Sequence, residues 1–261
     1  MAGFEFVIGG MQKSGTTALA LYLQQHEQIY IPPEKELHIF RGSPLKPITQ
    51  AYVRKRFKNA PLGLKWGEAS PLYTYWPYCL ELMRDYNPNM KIIISLRHPV
   101  LRAYSSWSME IRREREDKPF SWCIRQGRER VRQSKSGVHL TYSYVERGFY
   151  LPQIENLLSI FSKNQIFFIR SDQIEAQHKK MQDILSFLKV TPMTYQPLHV
   201  NVHPSSLNSR PDNLIEDFQY LHALYEPEFK QLSKLTGLDL SDWHKIPPLP
   251  DGDLHSWRVN I

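Results

Sequence analysis

The feature that most restricts what this chain can become is an apolar strand that runs into a glycine-bounded loop and out into a helix. Phe4–Gly10 (FEFVIGG) is a short apolar run ending in glycines, the pattern of a buried strand entering a turn. Gly10-Met11-Gln12-Lys13-Ser14-Gly15-Thr16-Thr17 follows at once, and Thr16–His26 then spaces Leu19, Leu21, Tyr22 and Leu23 as in a helix. Strand, loop and helix in this order open a βαβ unit. Such a loop aims backbone amides and a helix N-terminus at an anion. Its frame, G-x-x-x-x-G-T-T, departs from the nucleoside-triphosphate loop G-x-x-x-x-G-K-[ST]. Thr16 stands where the lysine that reaches a β/γ-phosphate pair should be, and Lys13 lies inside the loop instead. A donor with a shorter anionic tail suits that arrangement. The plainer alternative is a glycine turn with an incidental lysine.

The alternation continues along the chain. Gln28–Ile31 reads as a short extended segment, Lys35–Phe40 (KELHIF) as a loop or strand edge, and Leu64–Glu68 as a strand stopped at Ser70-Pro71. Tyr78–Tyr86 is patterned as a helix and leads to Lys91–Leu96 (KIIISL), the clearest buried parallel strand. Val100–Arg115 restarts a helix behind Pro99, at the N-terminal place a proline favours. Leu151–Phe161, Met181–Leu188 and Asn213–Thr236 read as helices and Gln165–Arg170 as a strand, while polar Leu198–Pro211 reads as a long loop. No repeat or linker divides the sequence. The expectation is one domain over 1–261: an α/β, P-loop-like, three-layer fold with a central, mainly parallel sheet flanked by helices.

A chain of 261 residues can bury a large core, and 41% apolar with 23% charged residues excludes general disorder. The net charge of +7 suits an anionic ligand, and is equally the charge of many mildly basic proteins. In Arg112–Arg132, Lys and Arg interleave with Glu and Asp. With no base-reading motif beside it, this stretch reads as a solvated helical face and not as a nucleic-acid patch. Cys79 and Cys123 have neither metal-ligand nor disulfide-framework spacing, which fits a reducing compartment. No leader pattern and no bilayer-length apolar run is present. A soluble, cytoplasmic protein without membrane or nucleic-acid partners is expected; the sequence assigns no oligomeric state.

A second anion anchor is legible in KIIISLRHPVLRAYSSWS. Arg97 leaves the end of the buried strand, where ligands of open α/β sheets bind, and Ser105 follows eight residues later. Arg binds phosphate bidentately and Ser adds a hydroxyl. Alternatively, Arg97 pairs with a carboxylate and Ser105 lies on a helix surface. Together, GMQKSGTTAL and LRHPVLRAYSSW resemble the two cofactor signatures of the sulfotransferase superfamily that uses 3′-phosphoadenosine 5′-phosphosulfate (PAPS) and releases 3′-phosphoadenosine 5′-phosphate (PAP). The resemblance implies that Gly10, Lys13, Ser14, Gly15, Thr16 and Thr17 hold the 5′-phosphosulfate, and that Arg97 and Ser105 hold the 3′-phosphate. It extends more weakly through Arg147–Tyr150, QIFFIRSDQI and Tyr225–Trp243, which are similar to heparan-sulfate-type and related bacterial members. Those enzymes carry a lysine- and glycine-bearing loop near the C-terminus; Asn201–Arg210 has no lysine, and Ser205 and Arg210 are the candidates to cover the adenosine end.

Lys35–Phe40 resembles the E-x-H-F-F element of the heparan-type enzymes, with Ile39 in place of the first Phe. The comparison makes Glu36 the general base and His38 an orienting or proton-handling neighbour, and extended backbone would put both on one face. An exposed charged edge is the other reading of this segment. Glu68, in Gly67-Glu68-Ala69-Ser70-Pro71-Leu72-Tyr73, resembles a family segment near the acceptor, so Glu68 and Tyr73 are candidate substrate contacts; a salt bridge is the alternative for Glu68. Many heparan-type members have lysine where Ala69 stands, which makes a long sulfated glycan a poorer acceptor. The aromatics Trp66, Tyr73, Tyr75, Trp76 and Tyr78 are either core or the wall of an acceptor pocket. Ten scattered histidines give no ligand cluster, and no metal is required.

The expected reaction is in-line sulfuryl transfer from PAPS to a hydroxyl or amine of a small-molecule acceptor, preferably a secondary metabolite. Lys13 would stabilise charge on the departing phosphate and Glu36 would take the acceptor proton. The rivals are a glycan sulfotransferase, a P-loop kinase or NTPase, a non-catalytic nucleotide sensor and a basic nucleic-acid binder.

Overall fold

A computed structural model describes residues 4–34, 36–176, 178–196 and 213–249. The chain forms two compact units: one from 4–96 and 153–196, the other from 97–152 and 213–249 among these residues.

The first unit carries the sheet. β1 (Phe4–Gly10), β2 (Ile29–Tyr30), β3 (Lys65–Ala69), β4 (Lys91–Leu96) and β5 (Ile166–Arg170) pair in the order β2-β3-β1-β4-β5, every neighbour parallel. The two runs read most clearly from sequence, FEFVIGG and KIIISL, lie side by side at the centre. Phe6, Val7, Ile8, Ile92, Ile93 and Ile94 are all fully buried, as strands covered on both faces must be. The α-helices of this unit are α1 (Thr16–Gln24), α2 (Gln50–Arg56), α3 (Cys79–Tyr86), most of α7 (Tyr150–Ile160), α8 (Gln173–Ala176) and α9 (His178–Leu188). α1 buries Leu19 and Leu23. α2 was not expected; Thr49 starts it by accepting the Tyr52 N–H at 3.1 Å, a side-chain cap that needs no apolar period.

Strand order reverses between β1 and β4. The chain leaves β1 towards β3 and β2, and leaves β4 towards β5. In open parallel sheets the carboxyl ends at such a switch point are where ligands bind. Gly10 and Leu96, the last residues of the two strands, therefore mark the functional edge.

The second unit is helical. α4 (Pro99–Arg112), α5 (Phe120–Ile124), α6 (Glu129–Arg132) and α10 (Leu214–Thr236) enclose Tyr104, Trp107, Phe120 and Phe218. Tyr104 meets Phe120 and Phe218 edge-on, with centroids 5.3 and 5.9 Å apart. The reading of Arg112–Arg132 as a solvated face fits Arg113, Arg115, Lys118 and Arg132, which are exposed, and is corrected for three arginines. Arg125 pairs with fully buried Asp217 at 2.5 Å, Arg130 with buried Glu116 at 2.8 Å and Arg128 with Glu146 at 2.8 Å. Glu116 belongs to the stretch itself, whereas Glu146 and Asp217 lie outside it, so these three charges are compensated within the unit. No helix among the described residues is long and apolar enough to cross a membrane.

Candidate active site

The loop after β1 is shaped by two residues in the left-handed region, Lys13 at φ 69° and Gly15 at φ 75°. Alternation of handedness turns successive amides inward, and Gly15 passes directly into the N-terminus of α1, whose first turn holds no acidic residue. Ser95 on β4 clamps the loop from below. Its carbonyl accepts the Met11 N–H at 2.8 Å and its hydroxyl donates to the Ser14 carbonyl at 2.5 Å. Ser14 Oγ is buried and has no hydrogen-bond partner. A hydroxyl so placed is costly unless a ligand oxygen meets it, and a phosphate or sulfate oxygen fits the requirement. A side chain at Gly15 is strained: a Cβ would stand 3.0 Å from Ile174 Cδ1, which would have to give way, on a backbone that L-residues rarely adopt. Gly15→Ala is expected to cost about 1–3 kcal/mol of stability and to weaken anion binding at the loop about tenfold or more. Thermal unfolding and titration with PAP measure the two effects.

Arg97 is the residue after Leu96. Burial pushes its guanidinium down to about 10, Tyr150 acting upward and Arg102 further downward, so it remains a cation at neutral pH. The Tyr150 hydroxyl fixes the backbone by donating to the Arg97 carbonyl at 2.9 Å. Ser105 lies with Leu101 and Met109 on the half-buried stripe of α4. Arg102 on the same helix was missed by sequence reading. It is fully buried, donates through Nη2 to the Tyr144 carbonyl, and leaves Nε and Nη1 without hydrogen-bond partners. Two adjacent cations in a desolvated place favour a nearby anion.

Residues 36–40 form a loop and not a strand edge, yet Glu36 and His38 come together, His38 Nε2 lying 3.7 Å from Glu36 Oε2. Burial lowers the His38 imidazole from its ordinary value; Glu36 opposes this, and Arg41 and Arg56 reinforce it. Glu36 keeps a side-chain exposure of 44%.

The sulfotransferase domain family model matches residues 5–223. The chain belongs to this family. A sulfotransferase of Alicyclobacillus acidocaldarius, seen in a crystal structure, is similar to it: 29% identical with a TM-score of 0.78, over 94% of this chain and 100% of the other. A membrane-associated sulfotransferase, kil1, of Dictyostelium discoideum is 32% identical over 41% of this chain and 23% of its own length. A bifunctional heparan sulfate N-deacetylase/N-sulfotransferase 1 of Caenorhabditis briggsae is 26% identical over 77% of this chain and 24% of its own length. The chain spans about a quarter of the length of these two curated relatives.

In this sulfotransferase domain Glu68 and Tyr73, the candidate substrate contacts, are engaged by the chain itself. Both are fully buried, and their oxygens engage the 37–40 backbone and each other. Neither presents surface to an acceptor. Burial raises the Glu68 carboxyl to about 7, against the opposing hydrogen bonds from Tyr73, Ser70, Leu37 and Ile39. A carboxyl raised in the folded state adds stability below its ordinary value of 4.5, and that stability is lost as pH climbs through about 7. Relative to Glu68→Gln, the wild-type fold should therefore lose about 3 kcal/mol between about pH 4 and about pH 8. Urea unfolding of both proteins at the two pH values checks this.

Among the aromatics, Trp66 and Tyr73 are core, Tyr75 and Trp76 are half-buried with the Arg41 guanidinium 5.5 Å from the Trp76 ring, and Tyr78 is exposed. These last three are the ones with surface to offer an acceptor. Ser205 and Arg210 lie outside the described residues.

Proposed function

We propose that this domain transfers a sulfuryl group from PAPS to a hydroxyl or amine of a small-molecule acceptor. The observation that carries the reading is the loop after β1: an amide-lined turn with Lys13 inside it and a buried, unsatisfied Ser14 hydroxyl. PAPS supplies an activated sulfuryl group on a single phosphate, the short anionic tail such a loop suits.

Lys13, Ser14, Gly15, Thr16 and Thr17 take the 5′ side in this reading, and Arg97 and Ser105 take the 3′-phosphate. Lys13 and the loop amides stabilise negative charge on the phosphate as the sulfuryl group leaves. Glu36 receives the acceptor proton, and His38, its imidazole neutral at pH 7, orients the carboxylate or relays the proton. Positioning and electrostatics supply the acceleration, and no covalent enzyme intermediate is required.

A secondary metabolite is the preferred acceptor, because Ala69 stands where many heparan-type enzymes have a lysine. A glycan acceptor is the second reading, favoured by likeness to the heparan sulfate N-deacetylase/N-sulfotransferase. A reducing, cytoplasmic setting accords with two free, buried cysteines whose thiols burial pushes up. Incubation with labelled PAPS and a panel of alcohols, phenols, amines and sugars tests the proposal, the labelled product naming the acceptor class. Hydrolysis of ATP with magnesium, and no transfer from PAPS, would assign the chain to the nucleotide-hydrolysing rival instead.

A further inference from the structure

Four successive backbone N–H groups converge on one buried carboxylate and its two hydroxyl neighbours. Leu37 N–H donates to Glu68 Oε2 at 3.0 Å, His38 N–H to Ser70 Oγ at 3.1 Å, Ile39 N–H to Glu68, and Phe40 N–H to the Tyr73 hydroxyl at 3.4 Å. Both hydroxyls donate in turn to Glu68, Ser70 to Oε2 at 2.9 Å and Tyr73 to Oε1. Consecutive amides can face one point only where the backbone changes handedness, and His38 at φ 51° supplies that change. Arg56 holds the loop's other side by donating to the Leu37 carbonyl at 2.9 Å. Glu68, Ser70 and Tyr73 are all fully buried, so this cluster reaches the reaction only through the loop it holds.

We propose that Glu68 is a positioning residue for sulfuryl transfer: with Ser70 and Tyr73 it sets the turn that presents Glu36 and His38. The statement rests on Glu36 being the base. Two carboxylate oxygens offer enough lone pairs for the two amides and two hydroxyls that point at them. Glutamine at 68 keeps the volume and replaces one acceptor by an NH₂ group facing donors. The turn must then relax, and a displacement of about 1 Å at the base costs about 10²-fold in rate.

The test is a double-mutant cycle on Glu68→Gln and Glu36→Gln. Transfer is measured from labelled PAPS to the panel acceptor of highest turnover, with PAP titration and thermal unfolding in parallel. Glu68→Gln is expected to fold, to bind PAP within about threefold of wild type, and to lose about 10²-fold in kcat. In the Glu36→Gln background the same change should cost less than about threefold, because its effect runs through Glu36. An equal loss in both backgrounds overturns the proposal, as does a wild-type kcat in folded Glu68→Gln while Glu36→Gln is impaired. Wild-type kcat in Glu36→Gln removes the base assignment itself, and the proposal with it. If Glu68→Gln does not fold, Ser70→Ala carries the same cycle, with an expected loss of about tenfold from one missing hydrogen bond.

Discussion

Glu36→Gln is expected to lower kcat by about 10²–10⁴-fold, the span that general-base catalysis contributes. The substitution keeps the length and polarity of the side chain and removes only its ability to hold a proton. Glu36 is half exposed and precedes a backbone pinned at Leu37, His38 and Phe40, so its carboxylate is accessible from a held turn. The donor loop lies elsewhere in the chain, and PAP affinity should stay within about threefold of wild type, less than the cost of one hydrogen bond. His38→Asn should cost less, about tenfold, since the imidazole stands 3.7 Å from the Glu36 carboxylate and an amide keeps a polar group beside it. Steady-state rates at saturating donor, beside PAP titrations, separate the two effects. A full rate in Glu36→Gln would reduce this segment to an exposed charged edge.

Lys13→Ala is expected to lower kcat by about 10²–10³-fold, the loss seen when one group aimed at developing transition-state charge is removed. Lys13 is held at φ 69°, a backbone position that costs a non-glycine residue energy and that recurs at ligand clamps. Charge on the leaving phosphate grows during the displacement, so the ammonium acts more strongly on the transition state than on bound nucleotide. PAP affinity should accordingly fall by only about tenfold. Single-turnover rates and PAP titration measure the split; equal losses in both would make Lys13 a simple binding residue.

The parts of the fold visible in the sequence are those whose cause is local. β1 and β4 begin and end where their apolar runs do, because a strand covered on both faces admits nothing else. α4 starts at Pro99 for the equally local reason that proline suits the first helical turn. What stayed hidden depends on partners distant in sequence. Asp217 is 92 residues from Arg125, and nothing near Arg125 announces that its charge will be paired. The hold of Glu68 on the 37–40 loop was hidden because two of its four partners are backbone amides, which carry no side-chain signature. Glu36 and His38 do meet, though through a turn and not through strand alternation. Arg102 was overlooked since burial of a guanidinium cannot be read from a helical pattern that also places polar residues around it.

In the proposed reading, the loop bearing Lys13 and the strand end bearing Arg97 hold the two phosphates of one adenosine nucleotide. Calorimetric titration with PAP and with adenosine 5′-monophosphate, for wild type and Arg97→Ala, tests it most directly. Wild type should prefer PAP by about 10–100-fold, the worth of charge-assisted hydrogen bonds to the 3′-phosphate, and Arg97→Ala should bind the two nucleotides alike. No binding of PAP by the wild-type chain, or a preference that survives Arg97→Ala unchanged, would contradict the account.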